Sequence, residues 1–348
     1  MKTTTLRSFA NSNLAIPPAT AWYLTELGEF RGKQELYTRQ SPQRLKALRE
    51  HALIESAVSS NRIEGVSVEP SRVRDVLVSP KPLFRDRDEE EVRGYRDALT
   101  WIHQEAERIP VSNETIQHLH ATTRGQIWDA GLYKEKDADI IERLPDGNER
   151  VRFRTVSAKQ SPAAMDQLVA DWQACLEERW VPQPIALAGF NLDFLCIHPF
   201  RDGNGRVSRL LWLLQSYQLG FEVGRYISLE RLIEQNKDRY YETLEQSSQG
   251  WHEGKHDPWP YINYVLFILK TAYREFVERV GETSEPRGSK TQLVLETIGK
   301  MRDTFSLSDL ERACPGVSRD MIRRVLNTQK GQTVDCIGRG PGALWKKR

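Results

Sequence analysis

The run His198-Pro199-Phe200-Arg201-Asp202-Gly203-Asn204-Gly205-Arg206-Val207-Ser208-Arg209 decides how the chain is read. Pro199 cannot continue a hydrogen-bond ladder, so it closes a preceding helix and leaves His198 at that helix's C-terminus, displayed as a candidate base. Gly203 and Gly205 permit backbone conformations closed to other residues. The N–H groups of Gly203-Asn204-Gly205, entering a helix, can converge into a nest for an anion, with phosphate the natural guest. Arg206 and Arg209 stand three apart on one side of that helix, within reach of further phosphate oxygens, while Leu210, Leu211 and Leu214 anchor it in a core. Asp202 adds a hard carboxylate beside the nest, suited to a Mg²⁺ shared with a di- or triphosphate. A single histidine, a Gly-Asn-Gly turn or an arginine pair is ordinarily structural. Gathered in twelve consecutive residues, they point instead to nucleotide phosphate chemistry with a histidine base.

Outward from this run the apolar spacing is helical. Residues 184–197 and 206–219 flank it, Met165, Leu168, Val169, Trp172 and Leu176 precede it, and 229–248 and 258–280 follow. Upstream, 42–64 reads as a helix closed by Gly65, and 89–107 and 112–127 as two more. Between them 66–88, with Pro70, Pro80 and Pro82, is a loop or a broken helix. The part before residue 42, with Pro17 and Pro18, is left as a loose start. The composition changes at 133–156, where Ile140-Ile141 and Val151-Arg152-Phe153-Arg154 flank Pro145-Asp146-Gly147-Asn148, the makings of a β-hairpin. The fold class is therefore mainly α, a helical bundle with one attached hairpin.

A length of 348 residues exceeds a usual domain of ~100–150, so more than one is expected. With 39% hydrophobic and 28% charged residues the chain can bury a core. No apolar run approaches the ~18–20 residues of a membrane span, and the start lacks the apolar stretch of a secretory signal, so no membrane partner and a cytoplasmic location are expected. Cys175, Cys196, Cys314 and Cys336 stand far apart and read as buried thiols. Charge is divided unevenly: residues 287–348 hold 13 basic and 6 acidic side chains, a net +7, against 37 and 42 elsewhere, a net −5. Such a segment suits an acidic partner, DNA among them, and equally a solvated basic face. Glu282 to Ser289 has the composition of a linker. After it come helices at 290–302, 306–313 and 318–329 and a Gly-rich end with Val334, Ile337 and Trp345. That order resembles a small winged-helix domain.

The segment 198–209 resembles the signature of the Fic family, H-P-F-x-D/E-G-N-G-R-x-x-R, at every fixed position. The resemblance covers about residues 15–280 and implies transfer of AMP from ATP to a hydroxyl side chain of a target protein or of the chain itself. It also implies roles. His198 would deprotonate the hydroxyl; Asp202 would hold Mg²⁺ on the α- and β-phosphates; Gly203, Asn204 and Gly205 would cradle the phosphates; Arg206 and Arg209 would grip the triphosphate. Ser60-Asn61-Arg62-Ile63-Glu64-Gly65 is similar to the family's inhibitory motif, Ser/Thr-x-x-x-Glu-Gly/Asn. Ser60 and Glu64 share a helical face, and Glu64 would pair with Arg209 and keep ATP misplaced. The hairpin corresponds to the family's flap, over which an extended target can lie as an added strand. Arg239-Tyr240-Tyr241 is similar to its nucleoside-binding stretch; Ser248 stands where some relatives place Asn, which leaves base preference open. The expected division is an N-terminal helical region at 1–110 with the inhibitory helix, a Fic core at 111–281, and a winged-helix-like domain at 287–348.

Rival readings stay open at this point: the same pocket removing AMP or moving another phosphate-containing group, or an ATP-sensing DNA-binding regulator. A homodimer is also open. His252-Glu253-Gly254-Lys255-His256 matches the zinc-protease pattern H-E-x-x-H, but Gly250, Gly254 and Pro258 make it a loop that cannot turn both rings to one metal. His118 and His120, two apart on a helix, diverge and read as structural.

Overall fold

The computed structural model of the chain describes residues 4–11, 14–38, 42–143, 147–281, 289–301, 303–314, 317–338 and 343–348. It divides into two units, Met1–Val277 and Glu278–Arg348. In the first, α1 (Thr5–Ser8), α2 (Pro18–Thr38), α3 (Pro42–Ile63), α4 (Val73–Val78), α5 (Arg87–Glu105) and α6 (Asn113–Arg124) precede a hairpin of β1 (Ile140–Arg143) and β2 (Glu149–Phe153). Then follow α7 (Ser161–Glu178), α8 (Gln183–Ile197), α9 (Asn204–Gln218), α10 (Leu229–Gln235), α11 (Lys237–Ser248) and α12 (Trp259–Gly281).

The centre of this unit is α8, buried at every residue from Pro184 to Ile197. A helix apolar on all sides has no solvent face, so it must be sheathed. Helices α1, α7 and α9 pack on it, and α9 in turn packs against α3, α5 and α6. Phe9 lies so close to Gly189 of α8 that an added Cβ there would stand 2.8 Å from the ring. Asp193, fully buried in α8, accepts the N–H groups of Thr5 and Leu6 at 2.9 Å each and the indole N–H of Trp251 at 2.7 Å. This carboxylate caps α1 and ties it to the core. Helix starts elsewhere carry the expected side-chain caps: Asp86 accepts from Glu89 N, Ser112 from Thr115 N and Ser228 from Arg231 N.

The hairpin pairs Ile141 with Val151 and Arg143 with Glu149, and an irregularity at Ile140/Ile141 shifts the register before Phe153. Its expected turn residues Pro145 and Asp146 lie outside the described residues; Gly147 follows at φ +85°. Three expectations need correction. The loose start holds the 21-residue helix α2. The single helix expected at 229–248 is two, broken at Asn236, whose side chain donates to Leu232 O at 2.8 Å and so competes with the backbone ladder. Cys175, Cys196 and Cys314 are buried, but Cys336 is only partly so. Among the described residues no helix is long and apolar enough to cross a membrane.

The second unit contains α13 (Ser289–Lys300), β3 (Thr304–Ser306), α14 (Leu307–Ala313), α15 (Arg319–Gln329), β4 (Val334–Ile337) and β5 (Leu344–Lys347). Its antiparallel sheet has the order β3-β5-β4. Strand β3 was not expected from the sequence. The core of this unit is its own: Val294, Ile298, Phe305, Leu310, Ile322, Val325, Leu326, Val334 and Trp345 close on one another. The linker expected at 282–289 lies outside the described residues except for Ser289.

Candidate active site

The loop between α8 and α9 is fixed from several sides. His198 ends α8 in the left-handed region, φ 53° and ψ 61°, with its N–H on Phe194 O at 2.9 Å. This is a conformation that a non-glycine residue holds only where its surroundings enforce it. Asn204 clamps the loop by accepting Phe200 N at 2.9 Å and donating to Phe200 O at 2.8 Å. His120 lies flat on Phe200, ring centroids 3.8 Å apart. Because its Nδ1 accepts from Gly131 N at 2.9 Å, its proton sits on Nε2, which donates to Asp202 O at 3.0 Å. Gly203, at φ +83°, occupies the N-cap of α9 and supplies no side-chain cap, so the first N–H groups of α9 are left to an anion.

Glu64 stands beside that position. A Cβ built on Gly205 would fall 2.1 Å from Glu64 Oε1 and 3.2 Å from Arg209 Nη1. Glu64 Oε1 accepts from Arg209 Nη2 at 2.8 Å, while Ser60 accepts from Arg209 through its Oγ at 2.8 Å and its carbonyl at 2.9 Å. Ser60 in the last turn of α3 and Glu64 just past its end thus grip a single buried guanidinium. Burial alone would lower the pKa of Arg209; the adjacent Glu64 outweighs it and the value is raised. Arg209 Nη1 is buried without a partner.

Beside this ion pair opens a cavity of about 430 Å³ lined by His198, Gly205, Glu64, Tyr240, Tyr241, Leu195, Leu244 and Ser248, with Ile140, Ile141, Arg152 and Phe153 of the hairpin forming its opposite wall. This is a volume suited to a small-molecule ligand. The Arg152 guanidinium lies 5.4 Å over the Tyr241 ring and donates to Tyr241 O, which joins hairpin to α11. Arg201 also lines the cavity, braced by Asp129 at 3.0 Å and stacked on Trp128.

His198 is half-buried rather than displayed, a correction to its expected exposure. Burial, then the nearby charge of Lys134, brings its pKa down to about 4, so the imidazole is neutral at neutral pH. Its Nδ1 is buried without a partner. Lys134 itself donates to Thr155 Oγ1 at 2.7 Å and to Ile197 O at 3.4 Å, tying the hairpin's base to the end of α8.

Arg206 goes elsewhere. It is buried, and its guanidinium pairs with Glu91 and meets Asn61 Oδ1 at 3.3 Å instead of lining the cavity. Glu91 also takes Arg87 and Arg124, each at 2.7 Å, and Arg124 Nη1 reaches Asp202 Oδ2 at 2.8 Å. Burial would raise the Asp202 carboxyl, but Arg124 and Arg206 beside it hold it below the usual range. Glu91, Arg124 and His120 are the functional neighbours that sequence reasoning missed. Glu91 and Arg124 belong to no local motif, and His120 showed only as a structural histidine.

A Mg²⁺ fits this donor set in one form. Asp202 is a single ionised carboxylate with a side chain 55% exposed, and no group of three or more His, Cys, Asp or Glu is gathered for a metal among the described residues. The remaining ligands would be phosphate oxygens and water, as Mg²⁺ prefers. The H-E-x-x-H stretch holds no such promise: His252 Nε2 meets Arg154 O at 2.6 Å, His256 Nε2 meets Thr5 Oγ1 at 2.8 Å, and Gly254 between them has φ +68°.

Residues 110–215, which contain the loop and all of α8, match the Fic/DOC family. The chain carries a Fic domain. This Fic chain is 26% identical over 271 residues to the protein adenylyltransferase Fic of Nematostella vectensis, covering 74% of the chain and 57% of that relative. The chain therefore spans little more than half the relative's length. Its fold is similar to the crystal structure of a Fic family protein from Desulfovibrio desulfuricans, with a TM-score of 0.62, 22% identity, and coverage of 97% of this chain and 98% of that one. A Fic domain containing signaling protein from Bacteroides thetaiotaomicron gives a TM-score of 0.60 at 21% identity, covering 74% of this chain and 98% of the other. The mainly helical Fic fold is what these likenesses share.

Proposed function

We propose that the chain is a protein adenylyltransferase that moves AMP from ATP to a hydroxyl side chain of a target protein or of itself, and that Glu64 restrains it. One observation carries the reading: the Glu64 carboxylate, just past the end of α3, lies against Gly205 in the first turn of α9 and on the buried Arg209 guanidinium, within the cavity that His198 lines. A site that holds a carboxylate on a buried guanidinium, beside a helix start with uncapped N–H groups, suits a phosphate equally. The printed name of the Nematostella vectensis relative supports the same activity.

In this reading the target's hydroxyl oxygen attacks the α-phosphorus and gives its proton to His198, and the bond to the β-phosphate oxygen breaks as pyrophosphate leaves. His198 is neutral at neutral pH and so able to accept. The α9 N-terminus and Gly205 would cradle the phosphates, with Arg209 on the γ-phosphate once Glu64 has left it. Asp202 would hold a Mg²⁺ whose charge offsets that of the triphosphate. Arg206, through Glu91, would hold the loop in shape rather than touch the nucleotide. Tyr240 and Tyr241 would wall the nucleoside, and the hairpin would receive the target as an added strand. Residues 1–110 would then carry the brake, 111–281 the catalytic core, and 287–348 a winged-helix-like module, the name that the helix order and the β3-β5-β4 sheet support.

The test is incubation of the chain and its Glu64→Gly variant with α-labelled ATP, Mg²⁺ and cell lysate. Covalent label on protein, stronger in the variant and absent after His198→Ala, supports the transfer. Label released only as free AMP, or removed from a premodified protein, would replace it with the reverse reaction.

A further inference from the structure

Helix α15 has two unlike faces. Ile322, Val325 and Leu326, at helical spacing, are buried in the core of the second unit with Leu310, Val334 and Trp345. Their burial fixes the rotation of the helix, so Arg319, Arg323, Arg324, Asn327 and Thr328 are all exposed on the other side. Among the described residues the only acid on that face is Asp320, 3.7 Å from Arg323. Arg319 meets Glu311 at 2.9 Å, with both side chains more than a third exposed. Ion pairs of this kind contribute little and exchange readily for another anion. Helix α14 precedes α15 across the connection 314–318, which makes the pair a helix-turn-helix with α15 second. Ser318 caps its start by accepting Met321 N.

We propose that α15 is the surface with which this chain binds duplex DNA, entering the major groove as the second helix of the pair. The inference stands apart from the transfer reaction, since it uses no residue of the first unit. Eleven residues make a rod about 16 Å long, and its diameter with side chains, about 10–12 Å, matches a groove about 12 Å wide. Its guanidiniums alternate with Asn327 and Thr328, which are donors and acceptors for phosphates and base edges. An acidic protein partner is the less favoured occupant, because protein interfaces are anchored by apolar or aromatic side chains, and this face exposes none. The net +7 of residues 287–348 supplies the accompanying field.

The test uses the full chain and a fluorescent duplex of about 20 base pairs, about two helical turns, with binding followed by anisotropy over a series of KCl concentrations. The wild type is expected to bind, with affinity falling steeply as salt rises. The triple variant Arg319→Gln, Arg323→Gln, Arg324→Gln should bind at least tenfold more weakly and flatten the salt slope by about 3, about one for each phosphate that no longer has a guanidinium opposite it. Because these side chains are exposed, its helical circular dichroism and melting should match the wild type. A control removing equal charge elsewhere, Lys33→Gln, Lys46→Gln, Arg108→Gln, should bind as the wild type does. The proposal is overturned by absence of binding at low salt, by equal loss in both triple variants, or by poly-glutamate displacing the duplex as well as unlabelled DNA does. That last result would make the face a site for acidic protein.

Discussion

Glu64 Oε1 lies 2.8 Å from Arg209 Nη2, and the same oxygen occupies the space where Gly205 would carry a Cβ. One carboxylate therefore pairs with the buried guanidinium and lies against the first turn of α9. An anion arriving at that helix end has to displace it. The contact is local, since α3 is held independently by Ser56, whose hydroxyl donates to buried Glu230 at 2.6 Å.

Replacing Glu64 by Gly removes the competing acid and leaves Arg209 free for phosphate. A charge-assisted hydrogen bond is worth about 1.5–3 kcal/mol, so AMP transfer should rise by about 10- to 150-fold. The double change Glu64→Gly, His198→Ala should abolish it. Label incorporation is the measure, and equal incorporation by the wild type and the Glu64 variant would remove Glu64 from the account.

Gly205→Ala separates space from charge. Gly205 has no positive φ, so alanine suits its helical backbone, yet the new Cβ would stand 2.1 Å from the carboxylate oxygen. Glu64 ends a flexible side chain and can swing away, so melting should change little. A bound phosphate would meet the same methyl. ATP affinity should thus fall in the double variant Glu64→Gly, Gly205→Ala relative to Glu64→Gly alone, measured by calorimetry. Equal affinity would mean that phosphate does not lie on this glycine.

What could be read in the sequence was what is contiguous. His198 to Arg209 carries loop, helix start and ion-pair donor within a few turns, and Ser60 and Glu64 are fixed to one face by helical spacing. Glu91 could not be found that way, because its partners Arg124 and Arg206 lie 33 and 115 residues away and only the fold brings them together. The same distance hid the pairing of Arg206 with Glu91. Helix α2 escaped for another reason: Trp22 and Leu36 are exposed and Gly28 and Gly32 interrupt it, so no single apolar stripe marks it. Strand β3, three residues long, is too short for a period of two and exists through pairing with β5.

The pH dependence of transfer should reflect His198 as its surroundings set it. Burial and Lys134 depress it to about 4, so the imidazole is protonated, and unable to accept a proton, only near and below that pH. In the Glu64→Gly variant kcat/KM should stay level from pH 8 down to about 5 and decline below, with no inflection near the usual ~6.5 of histidine. A clear inflection between pH 6 and 7 would mean that the base is solvated, or is another group.

Asp193→Asn should weaken the anchoring of α1. The carboxylate offers two oxygens to three N–H donors, and the amide offers one, so at least one buried donor is left unmatched. The cost is about 1–3 kcal/mol, or a melting temperature lower by roughly 2–12 °C for a chain of this size. An unchanged melting curve would show that α1 is held by its apolar contacts with α8 alone.

Glu91→Gln tests whether the ion network shapes the loop. Glu91 is the acid shared by Arg87, Arg124 and Arg206, and neutralising it leaves two buried guanidiniums with only Asp202 opposite them. Breaking a buried pair in this way costs about 3–5 kcal/mol, so melting should fall by roughly 6–20 °C. The double variant Glu91→Leu, Arg206→Leu removes a charge of each sign and should recover part of that loss, since a buried pair replaced by apolar groups is often neutral. If the double variant melts well but still fails to bind ATP in the Glu64→Gly background, the network acts by holding Asp202 and the α9 start in register. If it binds ATP as well as Glu64→Gly alone, the arginines around Asp202 serve stability only, and the loop keeps its shape through Asn204 and His120.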